Sequence, residues 1–182
     1  TTTSIPALGL LTWRPMAGYE LKAQIEGSLG NFWSESYGQL YPQLASLEAA
    51  GLIEIDPEAQ SDGRGKKVYK ITSAGRAHLS DWLKEAPKNR PLRNELLMKV
   101  FFAAEGDLSA IAAHVEVSKA AAVAGLKKYQ GIKADLIDRA RTNPKARFWL
   151  MTVRSGIQHA QTHLNWCAEV LSELELMEGN RN

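Results

Sequence analysis

Residues 32–53 read FWSESYGQLYPQLASLEAAGLI. Tyr37, Leu40, Leu44 and Leu47 recur at intervals of three and four, so one stripe of a helix faces inward, and Gly51 is placed to end that helix in a left-handed cap. The first two turns carry Ser34, Ser36, Tyr37, Gln39, Tyr41 and Gln43. A helix that buries one face and crowds hydrogen-bonding side chains at its start is equipped to touch something polar with the rest of its surface.

The neighbouring segments give this helix its place. Ahead of it, IPALGLLTWRP predicts a short apolar helix with Pro6 in its first turn, and Tyr19, Leu21, Ile25 and Leu29 mark a second, weakened at its end by Gly27 and Gly30. Behind it, LIEID and KVYKIT are two β-branched runs separated by PEAQSDGRGKK, which predicts a two-stranded hairpin. Thr72 or Ser73 then caps a further helix that ends near Leu83. Three helices followed by a hairpin is the winged helix-turn-helix plan, in which the third helix enters the DNA major groove and the wing reaches the flanking backbone or the minor groove. In that plan Gln39 and Gln43 suit adenine, Ser36 suits a phosphate or base edge and the hydroxyl of Tyr41 suits phosphate, with Ser34 and Tyr37 also candidates for DNA contact at the same helix start. The wing offers Arg64, Lys66 and Lys67 beside turn-forming glycines. The alternative for both segments is a solvated polar face.

A proline-bounded stretch, PKNRP, predicts a boundary near residue 87, dividing the chain into 1–87 and 88–182. Beyond it the pattern is all helix. Residues 92–104 form a short apolar segment, Asp107 or Ser109 starts a longer one, and Asn143-Pro144 breaks it. In the last segment Leu150, Val153, Ile157, Ala160, Leu164, Cys167, Leu171 and Leu174 alternate by three and four. That repeat predicts a homodimer seam, with Leu150, Ile157, Leu164 and Leu171 at its centre; an antiparallel hairpin within one chain is the alternative. The expected fold is therefore mainly α with a small β-hairpin: a winged helix-turn-helix domain followed by an all-α dimerisation domain.

Composition narrows the function. A formal net charge of +2 does not announce a nucleic-acid binder, and residues 1–87 hold 8 Lys+Arg against 10 Asp+Glu, so phosphate contacts there depend on the local cluster Arg64, Lys66, Lys67 and Lys70. One cysteine excludes an intramolecular disulfide framework, and the absence of a long apolar run or secretory signal predicts a cytoplasmic protein without membrane contact. No phosphate-binding loop, nucleophile elbow or H-E-x-x-H pattern is present, so an enzyme is not expected, and neither is a cofactor. His159, His163 and Cys167 have a spacing that metals can use, yet Cys167 falls on the apolar stripe, so no metal site is expected.

Four blocks in order, LGLLTWRPMAGYEL, FWSESYGQLYPQLASLEAAGLI, GRGKKVYKITSAGRAHLSDWL and LRNELLMKVFF, together resemble the PadR family of transcriptional regulators over essentially the whole chain. The part from residue 92 onward is similar to the larger C-terminal domain of the group that contains phenolic-acid-responsive members. The resemblance implies a homodimeric repressor on a palindromic double-stranded operator, released by a small aromatic acid. It places the recognition helix at about residues 36–50 and the wing at 52–71, with Tyr41 as a phosphate contact and Arg64 as the wing arginine. The wing departs from many relatives in having Gly65 where they have proline, which leaves its tip more flexible. For the acid, Trp13, Tyr37 and Trp149 offer ring-stacking walls, and Arg147, Arg154, His159 or His163 a partner for the carboxylate. Other readings are a winged-helix protein–protein adaptor that binds no DNA, and the same repressor sensing a metal or a hydrophobic drug.

Overall fold

Pro6 stands in the first turn of α1 (Ile5–Leu11), where its missing N–H costs nothing. The chain continues through β1 (Met16–Ala17) into α2 (Gly18–Gln24), which runs on as a π-helical turn over Ile25–Leu29. Next come α3 (Leu40–Ala49), β2 (Ile53–Ile55), β3 (Val68–Ile71) and α4 (Ser73–Trp82). The remainder is α5 (Glu95–Phe101), a 3₁₀ turn at Ala103–Glu105, α6 (Leu108–Arg139) and α7 (Lys145–Gly179). The computed structural model describes residues 4–30, 32–33, 39–59, 67–88 and 93–179. The chain divides into two compact units, residues 1–89 and 90–182.

In the first unit the three strands form an antiparallel sheet in the order β1-β3-β2, with Met16 opposite Tyr69 and Ile53 opposite Ile71. The expected hairpin is thus joined by a third, two-residue strand, too short to leave a periodic trace in the sequence. Leu8, Leu21, Leu44 and Ile53 sit at the centre of one core drawn from α1, α2, α3 and the sheet.

The end of α3 follows from backbone chemistry. Gly51 takes φ +68, a left-handed conformation that a side chain would strain. Its N–H then donates to Glu48 O at 3.0 Å and that of Leu52 to Leu47 O at 3.0 Å, closing the last helical carbonyls. Thr72 ties the next helix to this turn: its hydroxyl donates to Gly51 O at 2.8 Å and accepts from the Gly75 N–H at 3.0 Å as the cap of α4.

In the second unit Asn94 caps α5 and Asp107 caps α6, whose carboxylate accepts from the Ser109 N–H at 2.9 Å. The hydrogen bonds from Ser109 hold the Asp107 carboxyl below the usual carboxylate range. Asn143 and Pro144 turn the chain, so that α7 runs back antiparallel along α6. Leu136, Ala146, Leu150 and Val153 form a buried cluster at the turn, flanked by Tyr129, Ile132, Trp149 and Ile157. Further along, Ser118 Oγ and His163 Nε2 share a hydrogen bond of 2.8 Å.

This hairpin packs the apolar stripe of α7 within one chain. Leu150 is buried inside the chain, Ile157 packs on the same cluster, and Leu164 and Leu171 are half-buried on the same stripe. A heptad repeat specifies that a helix packs against another, but not whether that other belongs to the same chain. Here part of that stripe packs on Leu136 and Ile132 of α6. No helix among the described residues is long and apolar enough to cross a membrane.

Candidate nucleic-acid interface

The start of α2 is a fixed corner. Glu20 accepts from the Ala17 N–H at 2.8 Å and pairs with Arg14 at 2.9 Å, which orients the first turn of the helix. Gly18 opens that turn, and the ring of Tyr41 from α3 lies directly over it: a β-carbon on Gly18 would stand 2.7 Å from Tyr41 Cε1. Tyr41 is nevertheless 60% exposed. Its ring is seated on the start of α2 while much of the side chain stays open to solvent, where a tyrosine hydroxyl can donate to a phosphate.

α3 buries Leu40, Leu44 and Leu47 and exposes Tyr41, Pro42, Ala45, Ser46 and Ala49. Gln39, at the helix cap, is exposed as well. Gln43 is placed differently. Two residues turn a helix by about 200°, so Gln43 leaves the flank that carries Tyr41. It lines a groove of about 330 Å³ with Ser4, Ser46 and His78, on the side of α1 and α4. Tyr41 and Gln43 therefore serve different faces, which a count of polar residues along the helix does not reveal.

The basic cluster also divides. Lys67 Nζ lies 3.7 Å from Glu48 of α3, and Lys70 Nζ lies 3.4 Å from Glu54 and 3.9 Å from Asp56. Both lysines stand at the root of the wing with carboxylate partners, so the charge they offer to DNA is partly met within the chain. Ser34, Ser36, Tyr37, Arg64 and Lys66 lie outside the described residues.

The residues expected to hold an effector belong to two units. Trp13 belongs to the first unit; Trp149, Arg154 and His159 belong to the second. Steps of five residues rotate successive side chains on α7 by about 140°, so these three point in different directions. Trp149 is half-buried, Arg154 and His159 are exposed, and His159 Nδ1 is 3.0 Å from Ser155 O on its own helix. The residue that does meet Trp149 is Arg139, whose guanidinium carbon is 5.5 Å from the ring centroid. Arg139 and Trp149 are joined by the turn between α6 and α7, and that proximity across a helix break was the available signal. Near the middle of α7, His163 Nε2 is 3.6 Å from Cys167 Sγ, and burial pushes the Cys167 thiol up, toward its neutral form.

Residues 7–81 match the transcriptional regulator PadR-like family, and residues 92–175 match the family described as virulence activator alpha C-term. A probable transcriptional regulator of Mycobacterium tuberculosis is 29% identical over 170 residues, which is 87% of this chain and 90% of that protein. The negative transcriptional regulator PadR of Bacillus subtilis is 33% identical over 96 residues, 52% of this chain and 53% of that protein. Among solved structures, the Vibrio cholerae virulence activator AphA is similar with a TM-score of 0.77 at 26% identity, covering 95% of this chain and 99% of that one. Bacillus subtilis PadR in complex with operator DNA shares the fold with a TM-score of 0.82 at 22% identity, covering 96% and 99%; the same protein has been solved with p-coumaric acid, with a TM-score of 0.76 at 22% identity, covering 96% and 99%. The matched families are of regulators, not of enzymes.

Proposed function

The chain belongs to the PadR-like family of transcriptional regulators, and we propose that it works as a homodimeric repressor on a two-fold symmetric operator and is released by a small aromatic acid. Residues 1–87 carry the DNA-reading role in this proposal and residues 88–182 the pairing and effector roles. The observation that carries the DNA reading is Tyr41, exposed on the third helix with its ring seated on Gly18. α3 enters the major groove, Tyr41 donates to a backbone phosphate, and Gln39 stands beside it at the helix start. Arg64 and Lys66 bring the wing to the flanking phosphates, with Lys67 held back at its root by Glu48. Two such units related by a dimer axis meet half-sites one helical turn apart, which is why the operator is palindromic.

The names of the relatives support repression and an aromatic acid: one is a negative regulator, and that protein has been solved with p-coumaric acid. Arg139 lies over Trp149 in the second unit and is paired with Asp135, so a planar acid there would compete with that carboxylate for the guanidinium. Release is a population shift, in which the acid favours a dimer whose recognition helices no longer match the spacing of one DNA turn. A titration of the protein on DNA flanking its own gene, repeated with hydroxycinnamates and hydroxybenzoates, tests this. Release by one acid is the expected result; tight binding insensitive to every acid removes the effector class and leaves the DNA reading. The match to a virulence-activator family over residues 92–175 favours a second reading, activation from the same operator, which a promoter-reporter assay separates by the sign of the response.

A further inference from the structure

The last turns of α7 pass beside α5 and the start of α6, and at Ala103 and Ala104 the chain sets only methyl groups between them. A groove of about 600 Å³ is left there, within the range of about 300–1,000 Å³ that drug-sized ligands occupy. Leu108 and Leu174 are buried at its floor, and Phe101 at its mouth is 81% exposed. Trp166 forms a wall that is fixed in advance. Its ring stacks on His163 with centroids 5.4 Å apart, and His163 Nε2 shares a hydrogen bond of 2.8 Å with Ser118 of α6. An aromatic wall held by its own neighbours loses little freedom when a ligand arrives.

The charge of this groove has one sign. Among the described residues that line it, Glu169 and Glu173 alone are ionisable. Four residues turn a helix by about 400° and advance it by about 6 Å, so the two carboxylates rise from nearly the same flank of α7. Both are exposed, and neither makes an ion pair among the described residues, whereas Glu95 of α5 is paired with Lys99 at 3.5 Å. Two carboxylates beside an apolar groove repel an anion and attract a cation. A cation that carries an apolar body gains the faces of Trp166 and Phe101 as well.

We propose that this groove is a binding site for amphiphilic cations, molecules with an aromatic or alkyl body and an amine or quaternary ammonium head. The body lies on Leu108, Leu174 and the two aromatic rings, and the head stands against Glu169 and Glu173. The site is distinct from that of the acid effector, because its glutamates disfavour a carboxylate. It stands or falls whatever releases the protein from DNA.

Titration calorimetry of the full chain with tetraphenylphosphonium and with tetraphenylborate tests this, since the two ions share size and apolar surface and differ in sign. Saturable binding of the cation is expected, about tenfold or more tighter than that of the anion. The double variant Glu169→Gln, Glu173→Gln, checked for helical content by circular dichroism, is expected to reduce that preference to about threefold or less. Phe101→Ala, at an exposed position, is expected to weaken the cation about threefold without touching the charge preference. Equal affinity of the wild type for the two ions, or a preference that the glutamine pair leaves intact, overturns the site. Absence of saturable binding of either ion overturns it as well, and sedimentation of the wild type beside Phe101→Ala then shows whether a second copy of the chain covers the groove.

Discussion

The first unit encloses Leu8, Leu21 and Leu44 completely in a core contributed by three helices and a sheet. The second spreads its buried residues thinly along two helices of 32 and 35 residues, and leaves Phe101, Phe102, Phe148, Met151 and Leu176 exposed. A compact unit buries apolar surface on all sides of its helices, whereas a two-helix hairpin has an inner stripe and a remaining circumference to cover. The comparison separates the tasks. One unit finishes its core within the chain; the other leaves apolar and charged surface exposed along its two long helices, which under the proposed function is the surface left for pairing.

The sharpest way to break this comparison is through the cores. Leu44→Ala removes a fully enclosed side chain and is expected to cost about 2–5 kcal/mol in urea denaturation, whereas Leu171→Ala, on a half-buried stripe, costs less than half as much. Equal losses would contradict the difference in closure.

Two glycines give a smaller contrast. A β-carbon on Gly75 would collide with the backbone carbonyl of Leu52, while one on Gly156 would meet the Tyr129 ring at 2.8 Å. Backbone held by the Thr72 cap has nowhere to go, but a half-buried ring can turn. Gly75→Ala is expected to destabilise by about 1–3 kcal/mol and Gly156→Ala by less, read from thermal unfolding of the two variants.

The smallest effect concerns recognition without stability. Tyr41→Ala is expected to weaken DNA binding about tenfold, nearly uniformly across sequences, as a phosphate contact should. Gly18→Ala displaces the same ring and should lower affinity by a lesser factor. In the Tyr41→Ala background the Gly18 substitution should then have almost no further effect. Additive losses in that double-variant cycle would detach Gly18 from the function of Tyr41.

Much of the architecture was readable from local signals. Pro6 at a helix start, Gly51 at a helix end, Thr72 and Asp107 as caps and Asn143-Pro144 as a break all act on their own backbone neighbourhood, and each stands where the sequence indicated. What remained hidden depends on distant partners. β1 forms only because β3 passes beside Met16 and Ala17. The heptad stripe of α7 could not say that it packs along α6. Gly18 gained its meaning only from Tyr41, which another helix brings over it. Lys67 and Lys70 counted as free cations in the sequence and are met by Glu48, Glu54 and Asp56 in space.

The central claim, a dimer that reads DNA, is tested most directly by sedimentation of the protein with a duplex from the promoter of its own gene, at several salt concentrations. The account predicts a complex of two chains on one duplex, whose affinity falls steeply with salt as the Arg and Lys side chains of the wing displace counterions. A complex with one chain per site, or no binding even at low salt, would contradict it.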